Sequence, residues 1–272
     1  MVLRRRASTK SRPARLGQHF LVDGRVRQRI LDALRLTREH LVVEIGAGRG
    51  AMTGLLAARA GRVVAVEVDP RLAAQLREKF SADPRIEIVE GDILTLPLDF
   101  SRAPVFSHSF VFGNLPYYIT SPILTRLFAH AGQFDEIVVM VQKEVAERLV
   151  AAPGSRDYGL LSVTAQFYTR PQLLFTIPPR AFHPRPQVDS ALVRMTVAPR
   201  AAELEVADPE PFFRLVRAAF RQKRKTLVNN LKALYPAERL KRALEPSRIP
   251  PGARAEALSL EQFAALLQEL NQ

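Results

Sequence analysis

Leu41-Val42-Val43-Glu44-Ile45-Gly46-Ala47-Gly48-Arg49-Gly50 is the stretch that decides the fold. A short apolar run ends in three closely spaced glycines, and residues 51–60 then read as an Ala/Leu-rich helix. Strand, glycine turn and helix in that order open an α/β unit. The turn meets its ligand through the main chain, because glycine permits close backbone approach and unusual φ values.

The spacing narrows the ligand. A dinucleotide turn places its third glycine three residues after the second. A phosphate-binding P-loop ends in Gly-Lys-Ser/Thr. Here the glycines fall at 46, 48 and 50 with no such ending, which is the spacing of S-adenosylmethionine (AdoMet) enzymes.

Outward from that unit the pattern repeats. Arg62–Val68 reads as a second strand, Arg85–Val89 as a third, Ser109–Gly113 as a fourth and Ile137–Val141 as a fifth. Helices are expected from Val26 to Leu34, from Arg71 to Phe80, and from Lys143 to Val150. Another follows Ser121-Pro122, with Ser as its cap and Pro in its first turn. Near-continuous apolar strands alternating with helices mean a largely parallel sheet covered on both faces. Residues 151–200 change character and read as one helix and two strands, Leu173–Ile177 and Ala191–Val197, an antiparallel hairpin on the sheet edge. Pro199 to Pro211 marks a boundary, and beyond it only helices are read. Phe212, Phe213, Val216 and Phe220 mark one of these; the last starts at Ser259, with Gln262 completing a capping box. The expected division is an α/β domain over 1–200 with a basic N-terminal arm, and a small all-helical domain over 201–272.

In open parallel sheets, ligands collect at the carboxyl ends of strands. The second strand ends at Glu67, whose carboxylate suits a ribose diol. The third ends at Gly91-Asp92, where a carboxylate suits the amino group of an adenine. The fourth ends in Asn114-Leu115-Pro116-Tyr117. The Asn114 side-chain oxygen and a nearby carbonyl can both accept from an exocyclic amine. Pro116 stiffens the turn, and Tyr117 offers a flat face worth about 1–3 kcal/mol per stacked base. One crevice can therefore hold a methyl donor beside an unstacked base.

Composition bounds the rest. The chain has 272 residues, 47% of them apolar, enough for a sizeable core and a smaller unit. It has no Cys, which excludes disulfides and thiolate metal sites, and its five His show no metal-ligand spacing, so no metal is expected. No apolar run approaches a membrane span, and the N-terminus lacks the hydrophobic core of a secretory signal. The net charge is +13. Residues 1–15 carry Arg4, Arg5, Arg6, Lys10, Arg12 and Arg15, and residues 214–232 carry seven further cations including Arg221, Lys223, Arg224 and Lys225. Neither segment has an acid, and together they account for the whole net charge. Two concentrated basic patches on a neutral body are a phosphate-binding footprint, and the second reads as a basic helical segment.

The ordered motifs resemble one family over nearly the whole chain. They are the loop Leu16–Leu21, the turn 44–50, Glu67, Gly91-Asp92, Gly113–Tyr117, Val141–Val145 and Tyr158–Val163. Downstream come Phe182-His183-Pro184-Arg185-Pro186-Gln187-Val188-Asp189-Ser190, Phe220–Leu227 and Asn229–Leu231. The sequence is similar to the ribosomal RNA adenine N6-dimethyltransferases of the KsgA type. The resemblance implies a Rossmann-like methyltransferase domain that uses AdoMet. It implies a substrate of two adjacent adenosines in the 3′-terminal hairpin of small-subunit rRNA, each receiving two methyl groups. His19, Leu21, Gly46, Gly48, Glu67, Asp92 and Asn114 would line the AdoMet site. Asn114, Leu115, Pro116 and Tyr117 would hold the base, and Phe182 would cover its other face. Arg221, Lys223, Arg224 and Lys225 would grip RNA backbone. A monomeric cytoplasmic enzyme acting on rRNA or a pre-30S particle is expected. The family usually carries Asn at the position of His19; at Tyr118 many relatives have Asn and others Tyr.

Alternatives share parts of this pattern. Erm-type enzymes methylate an adenine of large-subunit rRNA with similar turns, but Arg221–Asn230 and Tyr158-Gly159 favour the small-subunit class. DNA adenine methyltransferases usually place two prolines in the base-binding turn, where this chain has Leu115. A mainly non-catalytic assembly or nucleic-acid-binding factor would not need Glu67, Asp92 and Asn114 intact.

Overall fold

Period-two alternation along the apolar strands builds the molecule. Val42, Phe110, Phe112, Val138, Met140 and Leu192 face one side of the sheet, and Val43, Val111, Ile137, Val139, Val141 and Val193 face the other. Two apolar faces both demand cover. The computed structural model describes residues 19–98 and 106–271 and supplies that cover with helices. The first face carries α1 (Gly24–Leu34), α2 (Thr53–Arg59) and α3 (Pro70–Lys79). The second carries α4 (Thr120–Ala129), α5 (Lys143–Val150) and α6 (Leu160–Tyr168).

The strands are β1 (Phe20–Leu21), β2 (His40–Ile45), β3 (Arg62–Glu67), β4 (Ile86–Glu90), β5 (His108–Asn114), β6 (Glu136–Gln142), β7 (Thr169–Ile177), β8 (Phe182–His183) and β9 (Ser190–Val197). Seven form one sheet in the order β4-β3-β2-β5-β6-β9-β7. The first five are parallel, and β9 and β7 close the edge antiparallel, as the hairpin reading expects. Pro171 sits in β7, an edge strand, where a missing N–H is tolerated. The chain runs outward from β2 through β3 to β4, then returns to place β5 on the other side of β2. The topological switch point therefore lies between the carboxyl ends of β2 and β5, where a ligand crevice is expected.

The four remaining helices are α7 (Pro209–Ala219), α8 (Leu227–Leu231), α9 (Ala237–Leu244) and α10 (Leu260–Asn271). Their apolar faces share a core with Tyr158, Val163 and Phe167. At the start of α10, Gln262 N–H donates to the Ser259 hydroxyl, and the Ser259 N–H donates to the Gln262 side chain, the reciprocal pair expected from sequence.

Three expectations need correction. Ser121 is not a helix cap, because α4 begins at Thr120 directly from a 3₁₀ turn over Tyr117–Ile119. The basic segment after α7 is a turn rather than a helix. Asn230, buried in α8, donates to the carbonyls of Ala219 at 2.7 Å and Gln222 at 3.1 Å, which ends α7 and folds the chain back. The loop before α1 contains the short strand β1, which pairs antiparallel with β8. The N-terminal cations Arg4 to Arg15, with Leu16, Gly17 and Gln18, lie outside the described residues.

Candidate active site

The glycine turn leaves β2 and crosses the sheet edge with φ of +72° at Gly46 and +58° at Gly48, values that L side chains rarely adopt. A Cβ at Gly48 would stand 3.1 Å from the Phe20 ring, so the glycine also lets that ring close over the turn. Gly46 and Ala47 donate to the Val66 carbonyl, tying the turn to β3. The next residue of β3 is Glu67, only 2% exposed. Its two carboxylate oxygens accept from Gly48 N–H at 2.7 Å and Asp69 N–H at 2.9 Å. An ionised carboxylate has about four lone-pair sites. Two are used, so two remain for the cleft that Glu67 lines.

Across the switch point, β5 delivers Asn114. Its Nδ2 donates to the carbonyl of His19 at 2.8 Å. A carbonyl can only accept, so the amide orientation is fixed with NH2 toward His19. The side-chain oxygen is thereby left as the acceptor for a ligand. Leu115 is buried and its N–H donates to the Met140 carbonyl of β6, locking the turn to the sheet. Pro116 leads into the 3₁₀ turn with φ −60°. The hydroxyl of Tyr117 lies 2.8 Å from that of Ser190, which sets the ring's orientation; burial raises the phenol's pKa.

The same cleft is lined by His19, Phe20, Gly46, Gly48, Glu67, Val68 and residues 114–117. A second compartment shares Phe20, Gly46, Gly48 and Asn114 with it and reaches Leu21, Arg27, Glu44 and Lys79. Glu44 is almost wholly buried there. Desolvation pushes its carboxyl up to about 8, against the pull of the Thr53 hydroxyl, which donates to it at 2.6 Å. The residues present fit AdoMet: a glycine cradle for close approach, a buried carboxylate with free lone pairs, and the apolar Val68 beside it for a planar base.

His19, Leu21, Gly46, Gly48, Glu67, Asn114, Leu115, Pro116 and Tyr117 are thus brought together. Asp92 is not; it follows the end of β4, accepts from Leu94 N–H at 2.9 Å, and lines neither compartment. Phe182 corrects the sequence reading. It is 2% exposed and belongs to the core beneath β1, because β8 pairs Phe182 with Leu21 and turns the ring inward. The ring beside Tyr117 is instead that of His19, with centroids 5.3 Å apart. His19 Nδ1–H also donates to the Pro184 carbonyl at 2.8 Å. Phe20, Val68 and Glu44 are additions. Glu44 is legible as the acid opening the glycine motif, whereas nothing local in the sequence singles out Phe20 or Val68.

Arg221, Lys223, Arg224 and Lys225 are all exposed on the turn between α7 and α8. Lys223 Nζ donates to the Arg156 carbonyl at 3.1 Å, which anchors the turn to the loop before α6. No helix among the described residues is long and apolar enough to cross a membrane. No group of three His, Cys, Asp or Glu among them is arranged to hold a metal.

Comparison with known proteins gives one direction. The family model described as ribosomal RNA adenine dimethylase matches residues 9–272. The ribosomal RNA small subunit methyltransferase A of Acidobacterium capsulatum is 47% identical over 264 residues, covering 97% of this chain and 92% of the relative. That of Koribacter versatilis is 45% identical over 274 residues, covering 97% and 96%. Among solved structures, a dimethyladenosine transferase from Plasmodium falciparum superposes with TM-score 0.75 at 25% identity, covering 93% of this chain and 98% of that one. The 23S rRNA methyltransferase ErmE gives 0.68 at 30% identity, covering 93% and 100%.

Proposed function

The chain belongs to the ribosomal RNA adenine dimethylase family, and from that premise we infer that it is an AdoMet-dependent small-subunit rRNA methyltransferase that dimethylates N6 of adenosine. Its target is a pair of adjacent adenosines in the 3′-terminal hairpin of 16S rRNA. The observation that carries this reading is the Asn114 amide. One of its N–H groups is held by the His19 carbonyl, which leaves its oxygen to meet an incoming amine where both compartments are lined by Asn114.

AdoMet, when bound, supplies a methyl group made electrophilic by its sulfonium. Every other task falls to the chain. Glu67 would accept the ribose hydroxyls with its remaining lone pairs, and Val68 would lie against the adenine. Asn114 Oδ1 and the Leu115 carbonyl accept the two N6 hydrogens of the target base. This turns the nitrogen lone pair out of conjugation and toward the methyl group. Tyr117 stacks on the base, its tilt held by Ser190. The catalytic effect is positioning and fixed dipoles aimed at the amine. After the first transfer one N6 hydrogen remains, so the second transfer has a single donor for two acceptors.

The exposed cations at 221–225, held in shape by Asn230, grip phosphates. Residues 1–200 act as the methyltransferase unit with a basic arm, and 201–272 as the RNA-gripping unit. The enzyme works as a cytoplasmic monomer on a pre-30S particle. Small-subunit relatives at 41–47% identity over most of the chain, against 30% for ErmE, favour the small-subunit target over the large. Incubation with labelled AdoMet and unmodified small-subunit particles, followed by mapping of the label, tests the reading. Label confined to the two hairpin adenosines is expected; label on large-subunit rRNA, or none, overturns it.

A further inference from the structure

Tyr117 and Tyr118 are adjacent in the chain and opposite in fate. Tyr117 turns in and bonds Ser190, while Tyr118 is 58% exposed, the most exposed large hydrophobic side chain among the described residues. Scattered exposed apolar residues need no explanation, but grouped ones do. Of the five large hydrophobics exposed here, four lie on segments that frame the cleft. Val22 follows β1, Val68 follows Glu67, Tyr118 follows Tyr117, and Val188 lies two residues before Ser190. The 2.8 Å contact between Tyr117 and Ser190 joins the last two segments, so Tyr118 stands next to the base-binding Tyr117 on a turn tied to the segment that carries Val188.

Gln187 and Asp189 beside Val188 are exposed as well, so the largest apolar face there is the Tyr118 ring, on a chain whose excess charge is positive. RNA with one base drawn into the cleft presents there the uncovered face of the neighbouring base. We propose that Tyr118 is a stacking platform for the nucleotide adjacent to the adenosine held by Asn114. The proposal rests on the reading of the cleft as an adenosine pocket and adds a second base site to it.

The two sites differ in what they read. The Asn114 pocket needs an N6 hydrogen and loses its grip as methyl groups are added. A stacking face reads only the π surface, and N6 methylation leaves that surface in place. Tyr118 therefore holds the neighbouring adenine equally well before and after its own modification. This lets one enzyme treat two adjacent adenosines without a separate recognition mode for the half-finished product.

The test uses the full chain in two arms. In the first, a hairpin RNA carries 2-aminopurine beside the target adenosine, and fluorescence is read on titration. Wild-type protein and Tyr118→Phe quench the probe, whereas Tyr118→Ala leaves it bright and binds about ten-fold more weakly. Replacing the probe by an abasic site weakens wild-type binding by the same factor and leaves Tyr118→Ala unchanged. An abasic penalty equal in wild type and Tyr118→Ala, or quenching retained in Tyr118→Ala, overturns the proposal. In the second arm the same proteins act on unmodified small-subunit particles, where Tyr118→Ala raises KM with kcat nearly kept. Failure of wild type to methylate those particles overturns the reaction assigned above, while the fluorescence arm still decides Tyr118.

Discussion

The two halves of the cleft are built in different ways. On the cofactor side, Gly48 and Glu67 are 19 residues apart, within two successive strand–turn units. On the base side, Asn114 is bonded across 95 residues to His19, Tyr117 across 73 to Ser190, and His19 across 165 to Pro184. The first half is a local device that the strand–turn–helix unit makes for itself. The second is a convergence that exists only when the first described residues, the middle of the sheet and the hairpin loop have all docked. Damage to the cofactor side should therefore cost stability and ligand affinity together. Damage to the base side should cost turnover first.

Asn114→Ala gives the largest effect and the sharpest separation. The variant loses the fixed oxygen that orients the amine, and kcat should fall by about 10²–10³. AdoMet affinity, read by calorimetry, and thermal midpoint should change little, since the strand and the glycine turn keep their own bonds. A variant that turns over normally would remove Asn114 from the mechanism.

Glu67→Ala tests the other side. Two backbone N–H groups lose their acceptor in a site that is almost closed to water, which costs on the order of 1–3 kcal/mol each where no replacement partner enters. AdoMet affinity should drop about 100-fold in the same variant. Affinity lost without any change in unfolding midpoint would mean that the two roles of the carboxylate are separable, against the comparison drawn here.

What the sequence disclosed follows the same division. Leu41–Gly50 announces its strand, turn and helix because apolar run and glycine spacing are both local. Glu67 is legible because it ends the next strand. Asn114 is legible as a motif, but the direction of its amide is not, since that depends on a carbonyl 95 residues away. The resemblance implies that Phe182 covers the base, and the side chain lies instead in the core. The deciding fact is its pairing with Leu21, a contact no window around residue 182 contains. The turn at 221–225 reads as helix because nothing nearby shows that Asn230 will cap it from α8.

Glu44 adds a smaller, pH-dependent test of the local half. Its carboxyl is raised from 4.5 to about 8 by burial. Below about pH 4.5 folded and unfolded chains both hold the proton. Between about 4.5 and 8 only the folded chain holds it, so stability falls as pH rises through that window and levels off above it. In the ligand-free protein this contribution is on the order of a few kcal/mol. Glu44→Gln should flatten the profile and be the more stable form at pH 8 to 9, as read by chemical denaturation across pH. An unchanged slope in the variant would assign the pH dependence to another group.

His19→Asn should have the smallest effect, and it isolates one contact of the distant half. The bond that orients Asn114 comes from the His19 main chain, so it survives any side-chain change that leaves β1 paired with β8. What the substitution removes is the ring against Tyr117, because an Asn amide can still donate to the Pro184 carbonyl in place of Nδ1. Aromatic pairs contribute about 0.5–1.5 kcal/mol beyond their buried area. A loosened Tyr117 should thus appear as a rise in KM for RNA of a few-fold, with AdoMet affinity and kcat held. His19→Ala, which loses the bond to Pro184 as well, should be worse than His19→Asn by a further small factor. If His19→Asn instead matched Asn114→Ala in turnover, the ring rather than the main chain would be what orients the amide, and the base side would depend on side-chain packing at its first residue.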